Sequence, residues 1–295
     1  MIKTITKVFM IAASVIITGM LPSTAQQITH TDKMPSLKSS GLAPVNGLKM
    51  YYEIHGEGKP IVLLHGSYMN IDMNWGQLIP VLAKTNKVIA LEMQGHGRTA
   101  DINRDYSWEA MADDVAGLLK YLKTDKADIL GYSFGATVAL EFAIKYPDMV
   151  NKIVFISSVY KIDGWMKSVR DIFSIIKPAF FEKTPLKTEY DRLAPDKTHW
   201  AEFVTKLAKF DAQPFDLGIE NVKKIKKPIL IIKGDNDGVE LEHIAEIYKA
   251  FGGGVSGDMA GLPKSQLAII PATTHVTLMM ATDALMKVIS PFLAK

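Results

Sequence analysis

Ala127-Asp128-Ile129-Leu130, then Gly131-Tyr132-Ser133-Phe134-Gly135, then Ala136-Thr137-Val138-Ala139-Leu140-Glu141-Phe142-Ala143-Ile144: this stretch decides the fold. The first four residues read as a strand buried on both faces. The last nine read as a helix. Between them lies a G-x-S-x-G pentapeptide. Strand, sharp turn and helix is the context that lifts a serine out of the chain as a nucleophile. The flanking glycines are needed because the turn is tight and a Cβ at either end would clash.

The same rhythm continues outward. Leu48–Ile54 reads as a strand, and the apolar runs Ile61–Leu64, Val88–Leu91, Ile153–Ile156, Ile229–Ile232 and Leu267–Ile270 read as buried strands. Trp75–Ala83 reads as a helix that Pro80 shortens or kinks. Trp108–Leu122 reads as an amphipathic helix capped by Ser107, and Thr277–Leu293 as a closing helix. Alternating strands and helices predict an α/β fold, a mostly parallel, doubly wound sheet covered on both faces. The rhythm breaks over 158–217, where aromatic-rich helical pieces with no strand pattern predict an inserted helical lid. The expected organisation is a signal peptide at 1–25, an N-terminal arm at 26–46, a core formed by 47–157 and 218–295, and the lid at 158–217.

The chain has 295 residues, 48% hydrophobic and 22% charged, enough for a large core. Its net charge of +3 and lack of a long basic run argue against a nucleic-acid partner; Lys223-Lys224-Ile225-Lys226-Lys227 reads as a solvated turn before a strand. Lys3 and Lys7 followed by the apolar stretch Val8–Leu21, Pro22 and the small residues Ser23-Thr24-Ala25 read as a signal peptide cleaved after Ala25. The expected mature chain is secreted or periplasmic, has no stable membrane anchor, and carries a net charge of +1 once the two lysines are removed. With no cysteine, the chain has no disulfide, thiol nucleophile or cysteine metal site.

A serine hydroxyl needs a base within hydrogen-bond reach, and the base needs an acid to hold its tautomer. In such a sheet the partners stand just past the carboxyl ends of later strands. His275 alone among the histidines after Ser133 occupies a post-strand loop. Asp235 and Asp237, after the strand at 229–232, both qualify as the acid. Two N–H groups must receive the oxyanion: that of Phe134, after the nucleophile, and that of Ser67, in the loop after Ile61–Leu64. His65 then shapes that loop. Gly252-Gly253-Gly254-Val255-Ser256-Gly257 fits a dinucleotide fingerprint literally, but it follows a helix and reads as a flexible loop.

Taken together, His65-Gly66, Gln94-Gly95-His96-Gly97-Arg98-Thr99, the Gly131–Gly135 elbow, Gly234-Asp235-Asn236-Asp237 and His275 resemble the α/β-hydrolase superfamily, in particular its lid-bearing esterase, lipase and haloperoxidase-like branch. The resemblance covers Leu48 to Leu293. It implies Asp237 as the acid, with Asp235 the alternative. Glu92, Ala136 and Thr274 depart from that pattern where aspartate, glycine and glycine are common. The expected activity is cleavage of a small ester-like substrate through Ser133, His275 and Asp237, with no metal or organic cofactor and with Trp165 as a substrate contact. The same triad serves amide, lactone and carbon–carbon bond hydrolysis and cofactor-free perhydrolysis. A non-catalytic ligand-binding protein is the alternative from outside enzymes. Serine at the elbow argues against haloalkane dehalogenases and epoxide hydrolases, whose resemblance would imply aspartate there.

Overall fold

The computed structural model describes residues 37–294. The signal peptide with its cleavage point after Ala25, and the first part of the expected arm, lie outside the described residues. Within the remainder of the arm, Leu37–Val45 forms β1, paired antiparallel with β2 (Leu48–His55). The apolar runs predicted as strands are strands: β3 (Lys59–Leu64), β4 (Asn86–Leu91), β5 (Ala127–Tyr132), β6 (Val150–Ile156), β7 (Ile229–Asn236) and β8 (Gln266–Thr274), though β8, expected to be buried, is an edge strand with Leu267 and Ile269 exposed. They form one eight-stranded sheet in the order β1-β2-β4-β3-β5-β6-β7-β8. β1 and β2 are antiparallel to their neighbours, and the sheet is parallel from β4 to β8.

Helices cover both faces, and the core divides accordingly. On one face Met111, Val115, Leu118 and Leu119 of the helix Trp108–Tyr121, with Phe142 and Leu140 of the helix Phe134–Lys145, pack on Val62, Ile89 and Ile129. On the other face Trp75, Leu285, Ile289 and Phe292 pack on Ile61, Leu63, Leu130 and Val154. Alternate residues of one strand therefore serve opposite layers, as the pleat requires. Ser107 caps the helix Trp108–Tyr121 by accepting the N–H of Ala110, as its position predicted.

Two predicted helices are divided. The segment expected as one helix over Trp75–Ala83 is two short ones, Ile71–Trp75 and Ile79–Leu82. Pro80 sits in the first turn of the second, where its missing N–H costs nothing. The closing segment is a 3₁₀ turn, Thr277–Met280, and then the helix Thr282–Ala294. The residues between β6 and β7 are helical, with Lys167–Phe173, Pro185–Leu193 and Trp200–Asp211 as the main pieces. Among the described residues no helix is long and apolar enough to cross a membrane.

The helix Phe134–Lys145 passes so close to the sheet that two positions have no room for a side chain. A Cβ on Gly131 would lie 2.3 Å from the carbonyl oxygen of Gly135, and one on Gly135 would lie 2.2 Å from that of Leu64. Both obstacles are backbone and cannot rotate away. Gly135→Ala is therefore expected to destabilise the protein by about 3 kcal/mol or more, as severe overpacking does. Urea denaturation checks this, and a midpoint unchanged from wild type would show that the crossing is not that tight.

Candidate active site

Five strands lying side by side in the sheet each end immediately before a residue of the site. β3 leads into His65-Gly66-Ser67, β5 into Ser133, β6 into Ser157, β7 into Asp237 and β8 into His275. Parallel strands point their carboxyl ends the same way, so these groups gather along one edge.

Ser133 sits at φ 52° and ψ −122°, a conformation that a residue with a Cβ adopts only under strain of about 1–3 kcal/mol. Its N–H donates to the carbonyl of Ile156 on the neighbouring strand at 2.9 Å. Its hydroxyl lies 3.0 Å from Nε2 of His275, whose Nδ1 lies 3.1 Å from Oδ1 of Asp237. An ionised carboxylate only accepts, so Nδ1 carries the ring proton and Nε2 offers its lone pair to the serine hydroxyl. The imidazole is fixed by two aromatic neighbours. Tyr132 stacks on it at 5.1 Å between centroids, and Trp165 meets it edge-on at 5.3 Å. The Tyr132 hydroxyl donates to the carbonyl of His275 at 2.9 Å, and burial, followed by the charge of Asp237, pushes that hydroxyl upward so that it stays a donor. Trp165, expected as a substrate contact, lies beside His275.

The two candidate acids separate cleanly. Asp237 is 2% exposed and faces His275; the N–H of Val239 also reaches its Oδ1, at 3.3 Å. Asp235 is exposed and turned to the backbone of β8, accepting the N–H of Thr273 at 3.1 Å. Backbone N–H groups, that of Ala272 foremost, hold its carboxyl below the usual range. The loop carrying Asp237 is anchored from below by Lys233. This lysine is fully buried, and its Nζ donates to the carbonyl of Val239 at 2.7 Å.

Sequence reasoning missed Ser157. It is fully buried at φ 56°, and its N–H donates to the carbonyl of Ile232 at 2.8 Å, repeating one strand over the turn that Ser133 makes. Its hydroxyl donates to Oδ2 of Asp237 and stands 3.2 Å from Nδ1 of His275. The available signal was positional: Ser157 follows the apolar run of β6, between strands whose ends supply Ser133 and Asp237.

The loop after β3 is built around two neutral histidines. His65 donates from Nδ1 to the carbonyl of Gly66 at 2.9 Å and accepts the N–H of Met93 on Nε2 at 3.1 Å. Burial first, then the neighbouring His96, holds its basicity well below the ordinary value. His96 donates from Nδ1 to the carbonyl of Gln94 at 2.8 Å and accepts the N–H of Tyr68 at 3.2 Å, and burial pulls it down to about 4. His65 therefore shapes the loop, as its position predicted. Gly66 is held by Asn74 at 2.8 Å, so the residues on both sides of Ser67 are pinned. A Cβ on Gly66 would lie 3.5 Å from that of Ser133, which puts this loop against the serine. Phe134 is the first residue of its helix, where backbone N–H groups have no intrahelical acceptor. Glu92, which stands where aspartate is common, closes the glycine-rich turn by accepting from the backbone N–H and the guanidinium of Arg98, at 2.5 and 2.7 Å. Among the described residues no three His, Asp or Glu side chains come together as a metal site would need.

The fold and this arrangement place the chain in a known class. The α/β-hydrolase-fold profile matches residues 59–215, more than half of the chain, and the chain belongs to that family. A 2-hydroxymuconate semialdehyde hydrolase of Pseudomonas sp. (strain CF600) is 35% identical over 117 residues, 38% of this chain and 41% of that protein. A soluble epoxide hydrolase of Corynebacterium sp. (strain C12) is 33% identical over 117 residues, 40% of this chain and 41% of the relative. The chain thus spans about two fifths of the length of these curated relatives. Among solved structures, a meta-cleavage product hydrolase from Pseudomonas fluorescens IP01 superposes with a TM-score of 0.66 at 23% identity, covering 88% of this chain and 98% of the other. An enol-lactonase from Burkholderia xenovorans LB400 gives 0.65 at 21% identity, covering 86% and 99%. At such identities the superpositions speak for the fold alone.

Removing the Ser157 hydroxyl would leave a buried carboxylate oxygen without its donor, a loss of about 1–3 kcal/mol. Ser157→Ala is expected to lower the unfolding free energy by that amount in urea, while Ser157→Thr, which keeps a hydroxyl, loses less. Equal stability of wild type and Ser157→Ala would mean that the hydroxyl does not serve Asp237.

Proposed function

We propose that the protein is an exported serine hydrolase that cleaves a small ester-like substrate through an acyl-enzyme. The observation that carries this reading is the continuous run of contacts from Ser133 Oγ to His275 Nε2 at 3.0 Å and from His275 Nδ1 to Asp237 at 3.1 Å. Ser133 attacks the substrate carbonyl as His275 takes its proton. The backbone N–H groups of Phe134 and Ser67 receive the oxyanion. Asp237, with Ser157 donating to its other oxygen, holds the imidazole in the required tautomer and stabilises the imidazolium. The imidazolium then protonates the departing alcohol. Water, with His275 again as base, releases the acid. The helical insertion between β6 and β7 serves as the lid, and its Trp165 closes one side of the base.

A second reading is hydrolysis of a carbon–carbon bond or a lactone. It is favoured by the curated relatives named as hydrolases of 2-hydroxymuconate semialdehyde and of 2-hydroxy-6-oxo-2,4-heptadienoate, and by the enol-lactonase among the structural neighbours. The epoxide hydrolase relative does not extend to this chain's chemistry, because the elbow carries Ser133.

Export is supported by the sequence pattern of residues 1–25. The mass of the mature protein should begin at Gln26; an intact Met1 on exported protein would refute cleavage. For the chemistry, a fluorophosphonate probe should label wild type and not Ser133→Ala. Turnover of a short-chain aryl ester should fall about 10⁴-fold in Asp237→Asn and remain within about tenfold of wild type in Asp235→Asn. Labelling of Ser133→Ala at the wild-type level would remove the nucleophile assignment. Faster turnover of a dienoate than of any ester or lactone would select the second reading.

A further inference from the structure

Asp211 is the last residue of the helix Trp200–Asp211 and has no part in the reaction described above. Its Oδ1 accepts the hydroxyl of Ser67 at 3.3 Å. Ser67 follows Gly66, whose α-carbon faces Ser133 closely enough that an added Cβ would stand 3.5 Å from the serine's own. The helical insertion therefore delivers a carboxyl to the residue that borders the reacting serine.

The groups facing this carboxyl are all neutral. From the loop after β3 come the Ser67 hydroxyl and the buried hydroxyl of Tyr68. From the segment before the helix Trp108–Tyr121 comes Tyr106, whose hydroxyl is pushed upward by burial first and, in smaller part, by the charges of Asp101 and Asp211. The basic residues of its own helix turn elsewhere: Lys206 is bound to Asp101 at 2.9 Å and Lys209 is exposed. Arg104, the nearest arginine to Tyr106 in sequence, is bound to Asp114. Every other carboxylate singled out at the site has donors around it. Asp211 faces only the neutral hydroxyls of Ser67 and Tyr68 and has no cation among the described residues.

We propose that Asp211 reads substrate charge: it admits neutral and ammonium-bearing substrates and rejects carboxylate-bearing ones. A cationic group placed near the scissile carbonyl would supply the partner that the fold withholds from this carboxyl. An anionic group in the same place would meet a like charge, and like charges set close together repel. Burial pushes Asp211 up to about 7, against the pull of the Ser67 and Tyr68 hydroxyls. The folded carboxyl therefore gains its charge as pH rises through neutrality, and discrimination strengthens in that direction. For its turnover arm this inference rests on the acyl-transfer reading; its binding arm does not.

The experiment compares three p-nitrophenyl esters of similar length: neutral butyrate, cationic 4-trimethylammoniobutyrate and anionic monosuccinate. Ratios of kcat/KM are read from pH 6 to 8, because pH effects on the chemical step that the three esters share cancel. In wild type the cationic-to-anionic ratio is expected to exceed about 100-fold at pH 8 and to shrink about tenfold by pH 6. In Asp211→Asn it should fall to within about threefold of unity and lose its pH dependence. In parallel, calorimetry measures benzylammonium and benzoate binding to Ser133→Ala and to Ser133→Ala/Asp211→Asn. The first should prefer the cation, and the second should not. Equal hydrolysis of the anionic and neutral esters at pH 8, or a preference that survives Asp211→Asn, overturns the proposal. If no ester is turned over, the acyl-transfer reading fails and the binding arm still decides the role of Asp211. If Asp211→Asn does not fold, the pH dependence of the wild-type ratio decides it.

Discussion

The close crossing of the helix Phe134–Lys145 over β3 and β5 is the constraint on which the site depends. The sheet and the helix meet at Gly131 and Gly135 with no space for a Cβ, and this contact forces the chain to reverse within one residue. Ser133 takes up that reversal in a left-handed conformation that strands and helices avoid. The helix start, the loop after β3 and the serine are brought into one place by the same contact. A looser crossing would relieve the strain and also separate the serine from the N–H groups beside it. The strain is sustained because the flanking strands are buried on both faces and hydrogen-bonded on both sides, which over-determines their ends.

Beyond the serine, the site is a problem of keeping one negative charge in a shielded place. Asp237 is buried, and isolated burial of a carboxylate is costly. Its oxygens are met by the His275 ring, the Ser157 hydroxyl and the Val239 N–H, and the loop is tied to a buried lysine below. These donors come from three strand ends. Asp237 is therefore held by the register of the sheet as well as by its own loop, whereas Asp235, two residues earlier, faces outward.

What was legible in the sequence follows from how strongly each element is specified. The central strands are buried on both faces and write themselves as unbroken apolar runs. Ser133 follows such a run closely and Asp237 a few residues after one, while His275 follows the edge strand β8, so their order in the chain maps onto their order in space. β1 was illegible because it lies at the sheet edge: most of it is exposed, it contains Pro44, and only Ala43 and Val45 are buried. The break after Trp75 was hidden because an apolar period continues through Leu78, Ile79 and Leu82 on the far side of Gly76. Ser157 carries no compositional mark, since its role exists only once β5, β6 and β7 lie side by side. Asp211 is similarly mute: at the end of an amphipathic helix it looks like a solvated polar residue, and only the docking of that helix on the Ser67 loop gives it a neighbourhood.

The insertion has one further property. Lys161 and Asp216, near its two ends, pair as a short antiparallel bridge, with Ile162 N–H donating to the Phe215 carbonyl and Leu217 N–H to that of Tyr160. The segment thus leaves the core and returns to it through a pinched stem, much as a hairpin does. The stem fixes where the segment leaves and rejoins the core, independently of the register of β6 against β7. The sheet edge that gathers Ser133, Asp237 and His275 and the helical segment above it are thus distinct stretches of chain, stitched together at this stem and again where Trp165 bridges to Val239.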